Sequence, residues 1–225
     1  RKSGREGEDG YNMSLDMCPH QKKTDDEPPV FGNPTVSTVG GCQANFDADF
    51  LKMRLEAEHL CFLYNQTDPL DQLAKQKIRE QLLPGCAQNV TIISPIAVDY
   101  GNRITIGQGT FINRNAYLMD GGTITIGKNV FIGPNCGMYT ANHALDPQER
   151  NRGLEIALPI TIGDNVWIGA DVTILPGVTI GSNTVIGAKS LVCKDIPGHV
   201  VALGNPCRAI RPITEQDQID SAHCR

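Results

Sequence analysis

The sequence predicts a mainly β protein: a parallel β-helix of hexapeptide repeats, preceded by an N-terminal helical hairpin and a disordered N-terminal tail. The period of the aliphatic residues carries this prediction. Every sixth residue from Ile162 to Val192 is aliphatic, and four of the six residues that follow these positions are glycine. A period of six is typical neither of an α-helix nor of an isolated strand, but it fits a solenoid in which three short strands make one triangular coil.

The same period runs through the preceding part of the chain. Two triplets of apolar residues carry it: Ile106, Ile112 and Leu118, then Ile126, Ile132 and Met138. Between the two triplets, at Asp120-Gly121-Gly122, the period slips by two residues. About six coils fit between residues 90 and 206. The known hexapeptide β-helices are left-handed, and we expect that hand here. An antiparallel sandwich is the alternative, but it predicts turns about every 8–12 residues and no fixed period of six.

The segments outside the repeats differ in composition. Residues 47–64 are rich in helix formers, and Asp68 with Pro69 predicts the start of a second helix that ends before Pro84-Gly85. A solenoid needs caps, and the hairpin is expected to supply one. The predicted divisions are a disordered tail at 1–38, the hairpin at 39–86, the β-helix at 87–213 with a polar loop at 139–158, and a C-terminal tail at 214–225.

Charge and composition argue against several classes of protein. The net charge of −5 disfavours a nucleic-acid binder, which would be basic. No apolar run is long enough to span a membrane and no secretory h-region is visible, so we expect a cytoplasmic protein without a membrane partner. None of the 8 cysteines forms a C-x-x-C pair, so free thiols are expected rather than disulfides or a zinc site.

The loop at 139–158, YTANHALDPQERNRGLEIAL, interrupts the repeat and is the first candidate for chemistry. It contains His143, the one histidine on this interruption. Imidazole exchanges protons near neutral pH, so His143 is a candidate general base.

Four stretches of sequence identify a family. They are the helical hairpin, NHALDPQERNRGLE, PITIGDNVWIGADVTILPGVTIGSNTVIGAKSLV and KDIPGHVVALGNPCRAIR. Across residues 40–213 the chain closely resembles the sugar O-acetyltransferases of the hexapeptide-repeat superfamily, which include the maltose, galactoside and nodulation acetyltransferases. The resemblance implies a homotrimer with three active sites at subunit interfaces. It also implies acetyl-CoA as co-substrate, a small hydroxyl-bearing acceptor such as a sugar, and no metal.

The resemblance further implies direct attack of the acceptor hydroxyl on the thioester. His143 matches the catalytic base of the family. Glu155 lies where the maltose enzymes carry a loop glutamate and is expected to orient the imidazole, with a solvated loop charge as the alternative. Asn113 matches an asparagine that contacts the acceptor, although a plain corner role in the β-helix is the alternative. A backbone N–H near Gly169-Ala170 is expected to stabilise the oxyanion.

Coenzyme A is expected to lie along one side of the β-helix. By resemblance, Ala170 and Ala188 line the pantetheine groove, and Cys193 and Lys194 are the next coenzyme-binding positions along the chain. Arg208 and Arg211 suit the phosphates, because a guanidinium binds phosphate through two parallel hydrogen bonds. Two roles stay open for Trp167, a wall of the site or packing at a subunit interface.

The acceptor residues depart most from the family pattern. A family aspartate aligns with Asn45, a serine with Asp99, and a second aspartate with Gly121, next to Asp120. The coenzyme positions depart less, with Ala170 for a serine and Cys193 for a threonine. We therefore expect Asn45, Asp99, Asn113 and Asp120 to contact an acceptor that is a sugar, a glycoside or another hydroxyl compound.

A β-helix is also compatible with other functions. A serine or amine acetyltransferase is disfavoured, because the serine enzymes carry a longer helical N-terminal domain. A zinc hydratase of the γ-carbonic anhydrase type needs three histidine ligands, and His143 alone lies near the middle of the coils. A non-catalytic scaffold does not account for His143, Asn113, Lys194 and Arg208.

Overall fold

The computed structural model describes residues 42–44 and 48–219. Within this part three faces of strands wind around a common axis, and the strands of these faces pair in parallel, except the last one along the chain, which pairs antiparallel with its neighbour. Face 1 holds β2 (Gly85–Cys86), β5 (Ile104–Ile106), β8 (Ile124–Ile126), β13 (Ile160–Ile162) and β16 (Thr179–Ile180). Face 2 holds β3 (Thr91–Ile92), β6 (Phe111–Ile112), β9 (Phe131–Ile132), β14 (Trp167–Ile168), β17 (Val185–Ile186), β19 (Val200–Leu203) and β20 (Arg208–Pro212). Face 3 holds β4 (Ile96–Val98), β7 (Ala116–Met119), β10 (Gly137–Tyr139), β15 (Thr173–Ile174) and β18 (Leu191–Val192). The predicted β-helix is confirmed, and the predicted disordered tail at 1–38 lies outside the described residues.

The core is a stack of inward-pointing aliphatic side chains. On face 1, Ile106 pairs with Ile126, Ile126 with Ile162, and Ile162 with Ile180, and each is at most 1% exposed. Burying each such side chain contributes about 1.5–3 kcal/mol. The first of these steps is two residues longer than the last, which explains the phase slip in the sequence.

The corners between faces 1 and 2 adopt a backbone conformation with positive φ that most residues avoid. Asn129, Asn165, Asn183 and His199 have φ angles of 53°, 56°, 59° and 61°. Asparagine tolerates this left-handed region better than other residues with a side chain. The side chains of Asn165 and Asn183 also hydrogen-bond along the corner at 3.0 Å. The asparagines at these corners therefore have both a conformational and a hydrogen-bonding cause.

The hairpin consists of α1 (Ala48–Gln66) and α2 (Gln72–Leu82). The prediction that Asp68 and Pro69 start the second helix was wrong by one turn. Asp68 instead accepts the N–H of Leu70 in a turn, and Asp71 is the N-cap, accepting the N–H of Ala74 at 3.0 Å. Both aspartates bond the backbone locally, so sequence alone did not distinguish the turn from the cap.

The helices close the open end of the first coil. The Asn65 side chain donates to the carbonyl of Ile96 and accepts the N–H of the same residue, both at 2.9 Å. Tyr64 donates to the carbonyl of Ile92 at 2.8 Å. These bonds satisfy backbone groups that have no preceding strand, which is what a solenoid cap must do.

The interruption of the repeat is an ordered arm, not an irregular loop. After β10 the chain forms β11 (Ala141–His143), α3 (Pro147–Asn151) and β12 (Leu154–Ala157) before it returns to face 1. The strand β1 (Cys42–Ala44) pairs antiparallel with the outer side of β12. None of the described helices is long and apolar enough to cross a membrane.

Candidate active site

The arm places His143 directly opposite Glu155. The two residues are cross-strand partners in the antiparallel pair of β11 and β12, and Nδ1 of His143 lies 3.5 Å from Oε1 of Glu155. The imidazole is 58% exposed and the carboxylate side chain 13%. A carboxylate beside Nδ1 favours the tautomer with its proton there, which leaves Nε2 as the basic nitrogen.

The short helix α3 shapes the arm. Asp146 accepts the N–H of Glu149 at 2.9 Å, and Pro147 occupies the first helical turn. Gly153 then turns the chain back into β12 with a φ of +77°, a conformation that glycine adopts at little cost. The cap and this turn bring Glu155 back to the level of His143.

A charged cluster lies beside this pair. Tyr117 donates to Oδ1 of Asp99 at 2.6 Å, and Nε of Arg54 lies 4.0 Å from Oδ2 of the same carboxylate. That Nε is buried and has no hydrogen-bond partner among the described residues. Burial opposes the charge on Arg54, but neighbouring Tyr100, Asp99 and Glu155 outweigh it and raise the pKa of Arg54. Arg54 is thus electrostatically coupled to both Asp99 and Glu155.

Aromatic rings complete the wall. Tyr117 and Tyr139 meet edge to face at 5.8 Å, and the Tyr139 ring lies so close to Gly137 that a Cβ there would approach it within 2.5 Å. Burial, followed by the bond to Asp99, raises the pKa of Tyr117, so its hydroxyl remains a donor. Sequence reasoning missed Arg54, Tyr117 and Tyr139. The only signal for the tyrosines was their position next to inward-pointing residues of the hexad.

Asp120 corrects an expectation from the sequence. Its side chain is 0% exposed and accepts the backbone N–H groups of Asp99, at 3.0 Å, and Tyr100, at 2.8 Å. Burial raises the pKa of Asp120, although the backbone donors oppose this. Because its oxygens are used to hold the corner that carries Asp99, Asp120 is not available to an acceptor.

A second feature lies on another edge of the prism, where face 2 turns into face 3. We call this column of corners the 2–3 edge. Strand register places Asn113, Gly133, Gly169 and Gly187 at equivalent positions there. A Cβ on Gly169 would lie 2.6 Å from the nitrogen of Ala188, so the edge is packed flat and has no room for side chains at this position.

Asn113 is therefore not brought to His143 within one chain, since the arm leaves from the edge between faces 3 and 1. The side-chain oxygen Oδ1 of Asn113 accepts the N–H of Arg114 at 2.8 Å, and the residue is half-buried in the single chain. Ala170 and Ala188 share the 2–3 edge with Asn113. The N–H of Gly169 is used by the carbonyl of Ile186, whereas that of Ala170 has no acceptor among the residues described.

Comparison with known proteins places this geometry in a family. A model described as "Bacterial transferase hexapeptide (six repeats)" matches residues 159–194, and one described as "Hexapeptide repeat of succinyl-transferase" matches residues 123–140. A Saccharomyces cerevisiae protein whose name places it among the acetyltransferases is 50% identical over 174 residues, 77% of this chain and 89% of its own. The chain belongs to the hexapeptide-repeat acetyltransferases. As a member of this family it is an acyltransferase.

Two solved structures support the assignment of this hexapeptide-repeat acetyltransferase. A maltose O-acetyltransferase from Clostridium difficile 630 superposes with a TM-score of 0.76 and 42% identity, covering 78% of this chain and 94% of its own. A galactoside acetyltransferase in complex with coenzyme A superposes with a TM-score of 0.76 and 38% identity, covering 79% of this chain and 89% of its own. The sequence-based recognition of the family is thereby confirmed.

The remaining predicted coenzyme residues of the acetyltransferase lie toward the end of the β-helix. Cys193 and Lys194 follow β18 in the fifth coil, and Arg208 begins β20. Arg211 is engaged by Asp217 through two hydrogen bonds of 2.8 and 2.7 Å, and this pairing lowers the pKa of Asp217 to about 2. A phosphate at Arg211 must therefore compete with a carboxylate.

Two further predicted positions complete the description. Trp167 stands 58% exposed on face 2, in register with Phe131. Asn45 lies outside the described residues. Within 48–219, no group of three or more His, Cys, Asp or Glu side chains is arranged to hold a metal ion.

Proposed function

We propose that this acetyltransferase moves the acetyl group of acetyl-CoA to a hydroxyl of a sugar or glycoside by direct attack. The observation that carries the proposal is the imidazole of His143, exposed on an ordered arm with a carboxylate 3.5 Å from its Nδ1. This arrangement is that of an oriented general base. The galactoside acetyltransferase solved with coenzyme A supports the choice of donor.

The proposed reaction needs one base and one oxyanion site. Nε2 of His143 takes the proton of the acceptor hydroxyl while the oxygen forms a bond to the thioester carbon. The N–H of Ala170 stabilises the oxyanion of the tetrahedral intermediate. The intermediate collapses by breaking the C–S bond, and the proton held by His143 passes to the departing sulfur. The products are an O-acetyl ester and free coenzyme A.

The wall beside His143 has the chemistry of a carbohydrate site. The carboxylate of Asp99 accepts hydroxyl hydrogen bonds, and the Tyr117 and Tyr139 rings offer apolar surface for the C–H faces of a sugar. A small non-sugar alcohol or amine is the alternative acceptor.

Coenzyme A is proposed to lie along the 2–3 edge. A Cβ on Gly133, Gly169 or Gly187 would lie 2.6–2.7 Å from an atom of the next coil, so these glycines let the coils stack closely. The flat edge that results is proposed to carry the pantetheine arm beside Ala170 and Ala188. Lys194, Arg208 and Arg211 supply cations for the phosphates at the far end. Cys193 and Trp167 are proposed as further walls.

The separation of Asn113 from His143 supports a shared site in a homotrimer. Face 2, which borders the 2–3 edge, presents outward apolar side chains in register: Phe111, Phe131, Trp167, Val185 and Val201. Phe131 is 55% exposed in the single chain. We propose that a second copy covers this column and that the arm of one protomer lies against the 2–3 edge of its neighbour.

Release of free thiol from acetyl-CoA tests the reaction. The full chain is incubated with acetyl-CoA and, separately, with galactosides, glucosides, maltose, serine and a simple amine. We expect thiol release with at least one sugar, and an O-acetyl product by mass spectrometry. Release with serine or the amine only would contradict the sugar acceptor, and no release with any acceptor together with no calorimetric binding of acetyl-CoA would contradict the enzyme function.

Glu155 is proposed to position the imidazole. Glu155→Ala should lower kcat at least about tenfold with little change in the KM for acetyl-CoA, because the base loses its orientation and not the coenzyme site. Glu155→Gln should retain more activity, since its amide oxygen still accepts the Nδ1 proton. Glu149→Gln, an exposed change on the same arm, is the control. Equal kcat for Glu155→Ala and the control would remove Glu155 from the mechanism.

A further inference from the structure

A cavity of about 840 Å³ lies between α2 and the first coil, at the end of the β-helix opposite Arg208. Its walls come from the end of α1, from α2, from β3 and its flanking turns, and from Arg114 of the second coil. The volume lies in the range of small-molecule sites. None of the residues that line the cavity has a role in the proposed acetyl transfer, although Arg114 follows Asn113 in the chain and donates its N–H to the Asn113 side chain.

Lys75 forms part of the wall in an unusual environment for a lysine. It is 8% exposed, its ammonium donates to Oγ of Ser94 at 2.5 Å, and it lies 4.6 Å from the centre of the Tyr64 ring. Burial lowers the pKa of Lys75. A buried lysine is usually paired with a carboxylate, because desolvation of an unpaired ammonium is costly. Here the described partners are a hydroxyl and an aromatic ring.

The rest of the lining is cationic and amide-rich. Arg79 and Arg114 are the other charged residues on the wall, and none of the lining residues is Asp or Glu. Arg79 is held in place by bonds to the carbonyls of Val90 and Gln88, at 2.5 and 2.9 Å. Four carboxamides stand beside these cations: Gln72, Gln76, Gln88 and Asn89. Cations without a carboxylate suit an anion, and carboxamides both donate to and accept from hydroxyl groups.

The cavity is remote from the proposed phosphate site of the coenzyme. Face 2 runs from β3 at the cavity to β17 in the fifth coil, with β6, β9 and β14 between them. Four strand spacings amount to about 19 Å. Lys194, Arg208 and Arg211 lie at or beyond that fifth coil. The cations of the cavity are therefore too far away to bind the phosphates of a coenzyme that is held by these three residues.

We propose that this cavity is a separate binding site for a small phosphorylated polyol, with the phosphate at Lys75 and Arg114 and the hydroxyls at the carboxamides. The phosphate supplies the negative charge that the lysine lacks. The site does not depend on the proposed acetyl transfer, because it is assembled from residues of the hairpin and the first two coils of one chain.

Calorimetric titration of the full chain with glucose 6-phosphate, inorganic phosphate and glucose tests this site. We expect glucose 6-phosphate to bind more tightly than inorganic phosphate, and glucose to bind least. Lys75→Met and Arg114→Gln should each weaken binding about tenfold or more, the loss expected for a hydrogen bond to a charged group. Lys128→Met, an exposed lysine on the third coil, should leave binding unchanged.

Thermal unfolding and competition with coenzyme A distinguish this site from a folding defect and from the coenzyme site. Lys75→Met should not lower the midpoint of thermal unfolding, because it removes a desolvated charge, and the exposed Arg114→Gln gives an independent test. Saturating coenzyme A should not displace glucose 6-phosphate. No binding by the natural chain, binding by both variants equal to that of the natural chain, or displacement by coenzyme A would each overturn the proposal.

Discussion

Replacing His143 with alanine should lower kcat for acetyl transfer by about 10²- to 10⁴-fold, the usual contribution of a general base. The loss should fall on kcat, because in the proposed mechanism the imidazole accepts the hydroxyl proton only as the bond to the thioester carbon forms. The exposed position of the ring, 58% accessible on an arm outside the β-helix, means that the fold does not depend on it. The measurement is steady-state thiol release with the best acceptor from the screen.

Two controls separate this effect from general damage. Calorimetric binding of coenzyme A and the thermal midpoint should match those of the unchanged protein, because His143 is on the arm and not on the 2–3 edge. His59→Ala removes another exposed imidazole, on α1, and should keep full activity. A His143→Ala variant as active as His59→Ala would eliminate the mechanism.

Replacing Asn113 with alanine should lower kcat/KM about tenfold to a hundredfold, through loss of the side-chain amide at the acceptor. Asn113 lies at a corner of the second coil, remote from the arm of its own chain. The control is Gln108→Ala, which removes an exposed amide from another corner of the same coil. If both variants keep full activity, Asn113 is a corner residue and nothing more.

Much of the fold could be predicted from the sequence, because each coil of a solenoid repeats the same pattern of inward-pointing aliphatic residues. The spacing of Ile162, Ile168 and Ile174 indicates which residues point inward, and the same spacing, with one slip of two residues, identifies the inward-pointing residues of the earlier coils. The hairpin boundaries were less predictable. Asp68 and Asp71 have the same capping chemistry, and only the packing of α2 on the first coil selects the second.

The sequence predicted that His143 and Glu155 lie together on the arm, but it did not predict the surroundings of Asp99 and Asp120. His143 was recognisable because it lies on the segment that interrupts the period of six. Its pairing with Glu155 depends on an antiparallel strand pair that no local sequence pattern predicts. Asp120 was expected to contact the acceptor, but it is buried and its carboxylate accepts backbone N–H groups. The sequence did not reveal this burial. Arg54 belongs to a helix distant in sequence, and its approach to Asp99 depends on how the cap docks.

The claim that one protomer supplies His143 and its neighbour supplies Asn113 can be tested by mixing two inactive variants. His143→Ala and Asn113→Ala chains are denatured together in equal amounts, refolded, and assayed for thiol release. In the proposed homotrimer, random assembly pairs an intact His143 with an intact Asn113 at about a quarter of the interfaces. We therefore expect activity near a quarter of that of the unchanged protein, well above either variant refolded alone. A mixture no more active than the two variants averaged would show that the site is not shared and would contradict this account.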